Sequence, residues 1–410
     1  MRLSNWWIRS VGLCSSLLVG WACEGRAGTF GEDVAFMKKH VPVLVLADDS
    51  GQAQVAVIPA YQGRVMTSTA AGPAGPSYGW INRQAIADGT RKPHINVFGG
   101  EDRFWLGPEG GQYSIFFRQG DAFTLEQWQT PEAIDWGAWE IVSQSQTEAR
   151  FRKAIQLVNY SGTEFQLTVD RSVRLLPRAK VAELLGVEIG SGLGLVAYES
   201  ENRLTNTGSQ AWTKDRGLLS IWILGMYQPS EQTTVAIPFQ RGPEEKLGPK
   251  VNDAYFGKVP ADRLQVGEQH LFFSGDGKYR SKIGISPQRA KPLLGSYAAE
   301  SKLLTLVQYT LPKGAKDYVN SMWELQKQPY AGDVVNSYND GPPAPGKQPM
   351  GPFYELESSS PAAALAPGQS LTHVHRTLHV QGPEQQLSTI SSKTLGVSVQ
   401  EIRTALTGGK

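Results

Sequence analysis

Hydrophobic and polar residues alternate with a period of two along most of this chain. The run "VPVLVLADDSGQAQVAVIPA" is apolar at 41–46, turns through Asp48, Asp49, Ser50 and Gly51, and alternates again through Val55 and Val57. That pattern predicts a β-hairpin. "RKAIQLVNYSGTEFQLTVDRSVRLL" repeats it, with a turn at 159–162 and Phe165, Leu167 and Val169 on one face. A continuous apolar run at 217–227 suits a strand buried on both faces. "HLFFSGDGKYRSKIGIS" predicts a further hairpin turning at 275–277. Helical spacing is rare. Tyr318, Met322 and Leu325 stand at i, i+4 and i+7 and predict one amphipathic helix. Ser398 and Glu401 form a capping box that opens another before Ile402, Ala405 and Leu406, closed by Gly408 and Gly409. Residues 340–352, rich in Pro and Gly, read as a loop. The pattern gives an all-β chain with few short helices, and neither a repeat nor a linker divides it.

Composition adds scale and removes partners. With 410 residues, 40% of them hydrophobic, the chain can bury a large core. Its 40 basic and 38 acidic side chains nearly cancel and no basic block stands out, which argues against nucleic acid as a partner. The first residues differ from the rest. Arg2 and Arg9 flank an apolar run at 11–22, too short to span a membrane but suited to a secretory signal over residues 1–27. Cleavage is open between the small-x-small step Gly25-Arg26-Ala27 and a lipoprotein-like site before Cys23, which would attach the chain to a membrane through a lipid. The expected location is therefore secreted or periplasmic, with residues 28–410 as one domain acting as a monomer. Both cysteines, Cys14 and Cys23, fall in the signal segment, so the mature domain has no disulfide and no cysteine metal site.

Four passages could carry chemistry. "GGEDRFWLGPEGGQYSIFF", residues 99–117, joins paired glycines to Glu101, Asp102, Arg103, Glu109 and Trp105. Sugars ask for such a lining, with polar groups for hydroxyls and a ring for the C–H face. The bland alternative is a structural loop with Arg103 paired to an acid. His94 lies just upstream. In "GPFYELESSSP", Glu355 and Glu357 share one face if the segment is a strand, and either could act as a general base; a solvated pair of acids is the competing reading. In "SLTHVHRTLHV", His373, His375 and His379 share a face with Thr377, most simply a solvent-facing polar stripe. His373 and His379 are about 20 Å apart at strand rise, so one ion cannot take all three. A cleft-facing His375 as general acid is the alternative. Lys278, Arg280 and Lys282 read as an exposed basic face, with Lys282 placed to bind a ligand at a cleft mouth. No phosphate-cradling motif and no Gly-x-Ser-x-Gly frame is present, and no cofactor or metal is expected.

Taken together, these passages resemble the galactose mutarotase-like superfamily, which includes the aldose 1-epimerases. "AVIPAYQGRVMTST" resembles its early strand, turn and strand. "ENRLTNTGSQAWTKDRGLLSIWILGMY" is similar to a mid-chain segment with an Asn-x-Gly-like step. "YELESSSPAAALAPGQSLTHVHRT" resembles the closing passage, where a strand carboxylate precedes a Leu-x-Pro-Gly turn and a His-x-Thr strand. The resemblance implies a large antiparallel β-supersandwich holding a sugar. It also implies a Glu as base on the anomeric hydroxyl, matching Glu355 or Glu357, and a His as acid on the ring oxygen. That His is missing from residues 202–208, leaving His94 or His375 as substitutes. Sugar-binding roles then fall to Glu101, Asp102, Arg103, Trp105, Glu109 and Lys282. The leading expectation is epimerase-type chemistry; the alternatives are a non-catalytic carbohydrate-binding role and an envelope structural role.

Overall fold

The computed structural model describes residues 28–407, so the expected signal segment, both cysteines and the closing Gly408 and Gly409 lie outside the described residues. The strands form sheets of three, ten and five members. Every pairing within them is antiparallel. The hairpin expected near residue 50 is present as Leu44–Ala47 and Gln54–Ile58, joined by Arg64–Thr69 into the small sheet. The hairpin expected near residue 160 is present as Glu148–Val158 and Glu164–Leu175. The apolar run yields Ser220–Tyr227, buried at every position. Near the C-terminus, Ser398 caps Val399–Thr404 with both reciprocal bonds of the capping box.

The ten-stranded and five-stranded sheets pack face to face. Phe104, Leu106, Ile221 and Ile223 of the smaller sheet share one core with Val169, Val173, Val196 and Tyr198 of the larger. A second core joins Leu356, Ile283 and Ile285 to Val235, Leu271 and Phe273. The other face of the large sheet presents Leu304, Leu306, Leu378 and Val380, which are covered by Val181, Leu387, Ile390, Val399 and Ile402 from short helices. Burial of these two interfaces is the main drive to fold, at roughly 25 cal/mol per Å² of apolar surface. The architecture is the expected all-β class, a large antiparallel supersandwich with short helices on its outside.

Three local expectations are corrected. Residues 275–277 do not close a hairpin: His270–Ser274 belongs to the ten-stranded sheet and Ser281–Ile285 to the five-stranded one. The turn is a crossover, pinned where Gly277 N donates to Asn339 Oδ1 at 2.9 Å and where Arg263 and Asn339 grip Asp276. No helix forms around Tyr318, Met322 and Leu325. The backbone N–H groups of Tyr318 and Asn320 bond instead to Tyr330 and Pro329, and Leu325 is 69% exposed. The histidine stripe on Ser370–Gln381 faces inward, between the sheets: His373, His375, Thr377 and His379 are all 0% exposed.

Candidate active site

Alternation along the five-stranded sheet sorts its residues by face. Phe104, Ile221, Ile223, Ile283 and Leu356 point into the sandwich, so their neighbours point out of it. In register across the outer face stand Lys282, Tyr338, Glu355 and Met226. Beside them run Asn336, Glu357, Leu224 and Arg103, and then Trp222 opposite Trp105. Antiparallel registry thus gathers residues more than 250 positions apart in the chain onto one patch, as the 3.1 Å ion pair of Arg103 with Glu355 shows.

Loops wall this patch into an open cleft with a cavity volume of about 100 Å³, small beside the several hundred Å³ of a typical ligand pocket. Trp128 and Trp323 stack above it with ring centroids 6.0 Å apart, and Trp105 lies edge-on to Trp222 at 5.6 Å. Leu125, Phe256 and Met350 line its mouth and are among the few large apolar side chains left exposed. Glycine makes the close approach possible: a Cβ on Gly110 would lie 2.3 Å from Met322 O, in the segment that delivers Trp323.

The floor is charged and dry. Glu355 is 4% exposed and Glu357 fully buried. Burial pushes the Glu355 carboxyl up to about 8, with the nearby Glu357 adding to the rise and Arg103 and Lys282 opposing it. Glu357 accepts from Trp222 Nε1 at 2.8 Å and from Lys282 Nζ at 3.0 Å. Glu109, half-buried in the cleft lining, is also raised, first by desolvation and then by Glu357, with Lys282 and Arg280 pulling the other way. Arg103 lies 4.1 Å from the Trp105 ring and Lys282 Nζ 4.6 Å from the Trp222 ring. The cleft therefore offers a carboxyl at Glu355 that burial biases toward its protonated form against the pull of Arg103, and a second carboxyl at Glu109, between aromatic walls.

The sequence-derived candidates divide in two. Arg103, Trp105, Glu109, Lys282 and Glu355 line the cleft. Glu357 stands directly beneath, braced rather than accessible. The other four are elsewhere. Glu101 is buried between sheets, accepting from Ser68, Tyr198 and His379. Asp102 is locked to Arg171 at 2.7 Å with both side chains fully buried. His375 shares Ser358 Oγ with His373, each at 2.8 Å, and burial holds it down to about 4 and His373 to about 3. Both rings are neutral at pH 7 and on the wrong face of the sheet for the cleft. His94 lies outside the lining, exposed, with Nδ1 2.5 Å from Trp128 O. It supports the Trp128 loop. Among the described residues, no histidine lines the cleft.

Trp222, Trp128, Trp323 and Tyr338 were not singled out from sequence, and Arg280, read there as part of an exposed basic face, lines the cleft instead. Trp222 carried a usable signal, because period two in Ser220–Tyr227 places it on a single face with Leu224 and Met226. The loop tryptophans carried none.

No curated protein matches this chain. Among solved structures it is similar to Slr1438 protein from Synechocystis sp. PCC 6803, at 16% identity over 83% of this chain and 96% of that one, with a TM-score of 0.49. It is also similar to a putative aldose 1-epimerase from Escherichia coli K12, at 13% identity over 83% and 99%, with a TM-score of 0.48. A galactose mutarotase-like protein from Lactobacillus casei matches at 10% identity over 83% and 99%, with a TM-score of 0.45. One family model spans almost the whole described chain, residues 28–406, and the protein belongs to that family, described as a family of unknown function, DUF6786.

Proposed function

We propose that this protein binds a saccharide in the cleft over Glu355 and interconverts its anomers by acid–base chemistry. One observation carries the reading: a buried carboxyl, pushed toward its protonated form by burial, lines an aromatic-walled cleft that also holds a second carboxyl. Tryptophan faces suit the C–H face of a sugar ring, and buried charged groups suit its hydroxyls. Glu355 donates its proton to the ring oxygen while Glu109 accepts the proton of the anomeric hydroxyl. The C1–ring oxygen bond breaks, the C1–C2 bond rotates, and closure returns each proton to its owner. Arg103 then stabilises the Glu355 carboxylate formed in the open-chain state. The signal segment supports an exported protein, with a lipid on Cys23 as the alternative to cleavage after residue 27.

A purely binding role is the second reading, favoured by the lack of a cleft histidine among the described residues. Polarimetry and exchange NMR of freshly dissolved aldoses separate the two. Acceleration that falls as pH rises through about 8, and that Glu355→Gln and Glu109→Gln each reduce at least a hundredfold, is the expected outcome. Saccharide binding with no acceleration on any aldose leaves the binding reading.

A further inference from the structure

The cations around the cleft are not equally satisfied. Arg103 is hydrogen-bonded to Glu355 at 3.1 Å and Lys282 to Glu357 at 3.0 Å, each contact almost entirely buried. Arg280 also lines the cleft, yet it makes no ion pair within 4.0 Å among the described residues. Its guanidinium lies 3.8 Å from the Phe256 ring at the cleft mouth. The neighbouring acids are occupied or set back. Asp340 accepts from Tyr338 OH at 2.6 Å and from Gly351 N at 2.8 Å. Glu109 feels the charge of Arg280 without reaching it. A half-buried guanidinium over a ring, hydrogen-bonded to Tyr338 and with no carboxylate in ion-pair reach among the described residues, can take an anion at the cleft mouth.

We propose that the cleft selects an acidic saccharide, with the negative substituent of the sugar held by Arg280 at the mouth while the ring lies over Glu355. This assignment rests on the saccharide reading of the same cleft. One guanidinium without an ion-paired carboxylate among the described residues matches a monoanion, so the substituent is a carboxylate or a sulfate ester. A phosphate monoester, carrying about 1.5 to 2 negative charges at pH 7, would bring more charge than Arg280 alone can meet. Apolar residues at the rim, Phe256 and Met350 among them, remain exposed and leave room for further sugar units.

Titration calorimetry on the full chain tests this with matched probes: methyl glucuronide against methyl glucoside, galacturonate against galactose, and glucose 6-sulfate against glucose 6-phosphate. Acidic sugars are expected to bind at least tenfold tighter than their neutral partners, with the advantage shrinking in high salt. Arg280→Gln removes the advantage and Arg280→Lys, which keeps charge but loses the fork, restores part of it; thermal melts of both variants check the fold. Equal binding of acidic and neutral sugars, or a preference that survives Arg280→Gln, overturns the assignment while leaving the saccharide cleft standing. A phosphate ester bound more tightly than the sulfate overturns the monoanion argument. Binding of no saccharide of either kind removes both readings together.

Discussion

At Glu355, burial and the neighbouring cations Arg103 and Lys282 act in opposite directions, and burial is the larger effect. The sign of the consequence is fixed by linkage. A carboxyl raised from 4.5 to about 8 in the folded state holds a proton that the unfolded chain has released. Its contribution to stability is fully present below pH about 4.5 and is lost as pH rises to about 8. Glu355→Gln should therefore flatten that part of the stability profile, read as the difference between wild-type and variant urea midpoints at pH 5 and pH 8.5. A parallel profile for the two proteins would show that Glu355 titrates normally. Trp105 teaches a different lesson. From sequence it looked like a platform for a sugar, but it is 3% exposed and packed against Phe116, Trp128 and Trp222. Trp105→Ala is expected to cost about 3–5 kcal/mol of stability, which would confound any binding assay. Trp323, only partly buried, is the cleaner probe. Trp323→Ala should weaken saccharide binding about tenfold, ~1.4 kcal/mol, with little change in the melt.

Among the elements, the strand Ser370–Gln381 and the segment over Gly110 decide most. The strand carries a polar stripe that a solvent-facing reading explains well, yet the stripe lies inside because the opposing sheet supplies partners: Ser358 for His373 and His375, and Glu101 for His379. Burial keeps His373 and His375 neutral, and at His375 it outweighs the opposite pull of Asp102. Their depressed values mean that the stability they contribute is present above pH about 6.5 and is lost as pH falls toward about 4. His375→Gln should make acid unfolding shallower below pH 6, followed by tryptophan fluorescence; an unchanged acid limb would contradict neutral burial. Gly110 belongs to the other element. A Cβ there collides with backbone, not with a flexible side-chain end. Gly110→Ala is expected to displace the segment carrying Trp323 and to reduce saccharide affinity more than it reduces the melting temperature.

Across the whole molecule, a few buried ionic groups tie the layers together. Arg171, on the strand Glu164–Leu175 of the large sheet, donates to Asp102 Oδ1 at 2.7 Å, Asn202 Oδ1 at 2.6 Å and Gly63 O at 3.2 Å. One guanidinium thereby joins the three-stranded, ten-stranded and five-stranded parts just where the chain enters Arg103–Gly107. Asp102→Ala would leave that cation unpaired in a dry interior and should cost about 3–5 kcal/mol. Because Asp102 precedes Arg103, the loss should also loosen the Arg103–Glu355 pair, lowering saccharide affinity from behind the cleft. Glu101 plays a matching role through Ser68, Tyr198 and His379. The acids at 101 and 102 that looked like ligand contacts are thus the fastening of the wall on which Arg103 and Trp105 stand.

The sequence by itself determined what local periodicity can carry. Alternation marked the hairpins and Ser220–Tyr227, put Glu355 and Glu357 on one face, and placed His373, His375 and His379 together. Tertiary structure decided which face is inside. A period of two says that the two faces differ, not which one meets another sheet, and a polar face can be buried whenever the opposite layer satisfies its hydrogen bonds. For the same reason Arg280 and Lys282, read as one exposed basic face, became a half-buried and a buried group in a cleft. Trp128 and Trp323 reach the site from irregular loops, where no local pattern exists and only the packing of distant segments fixes the direction of a side chain.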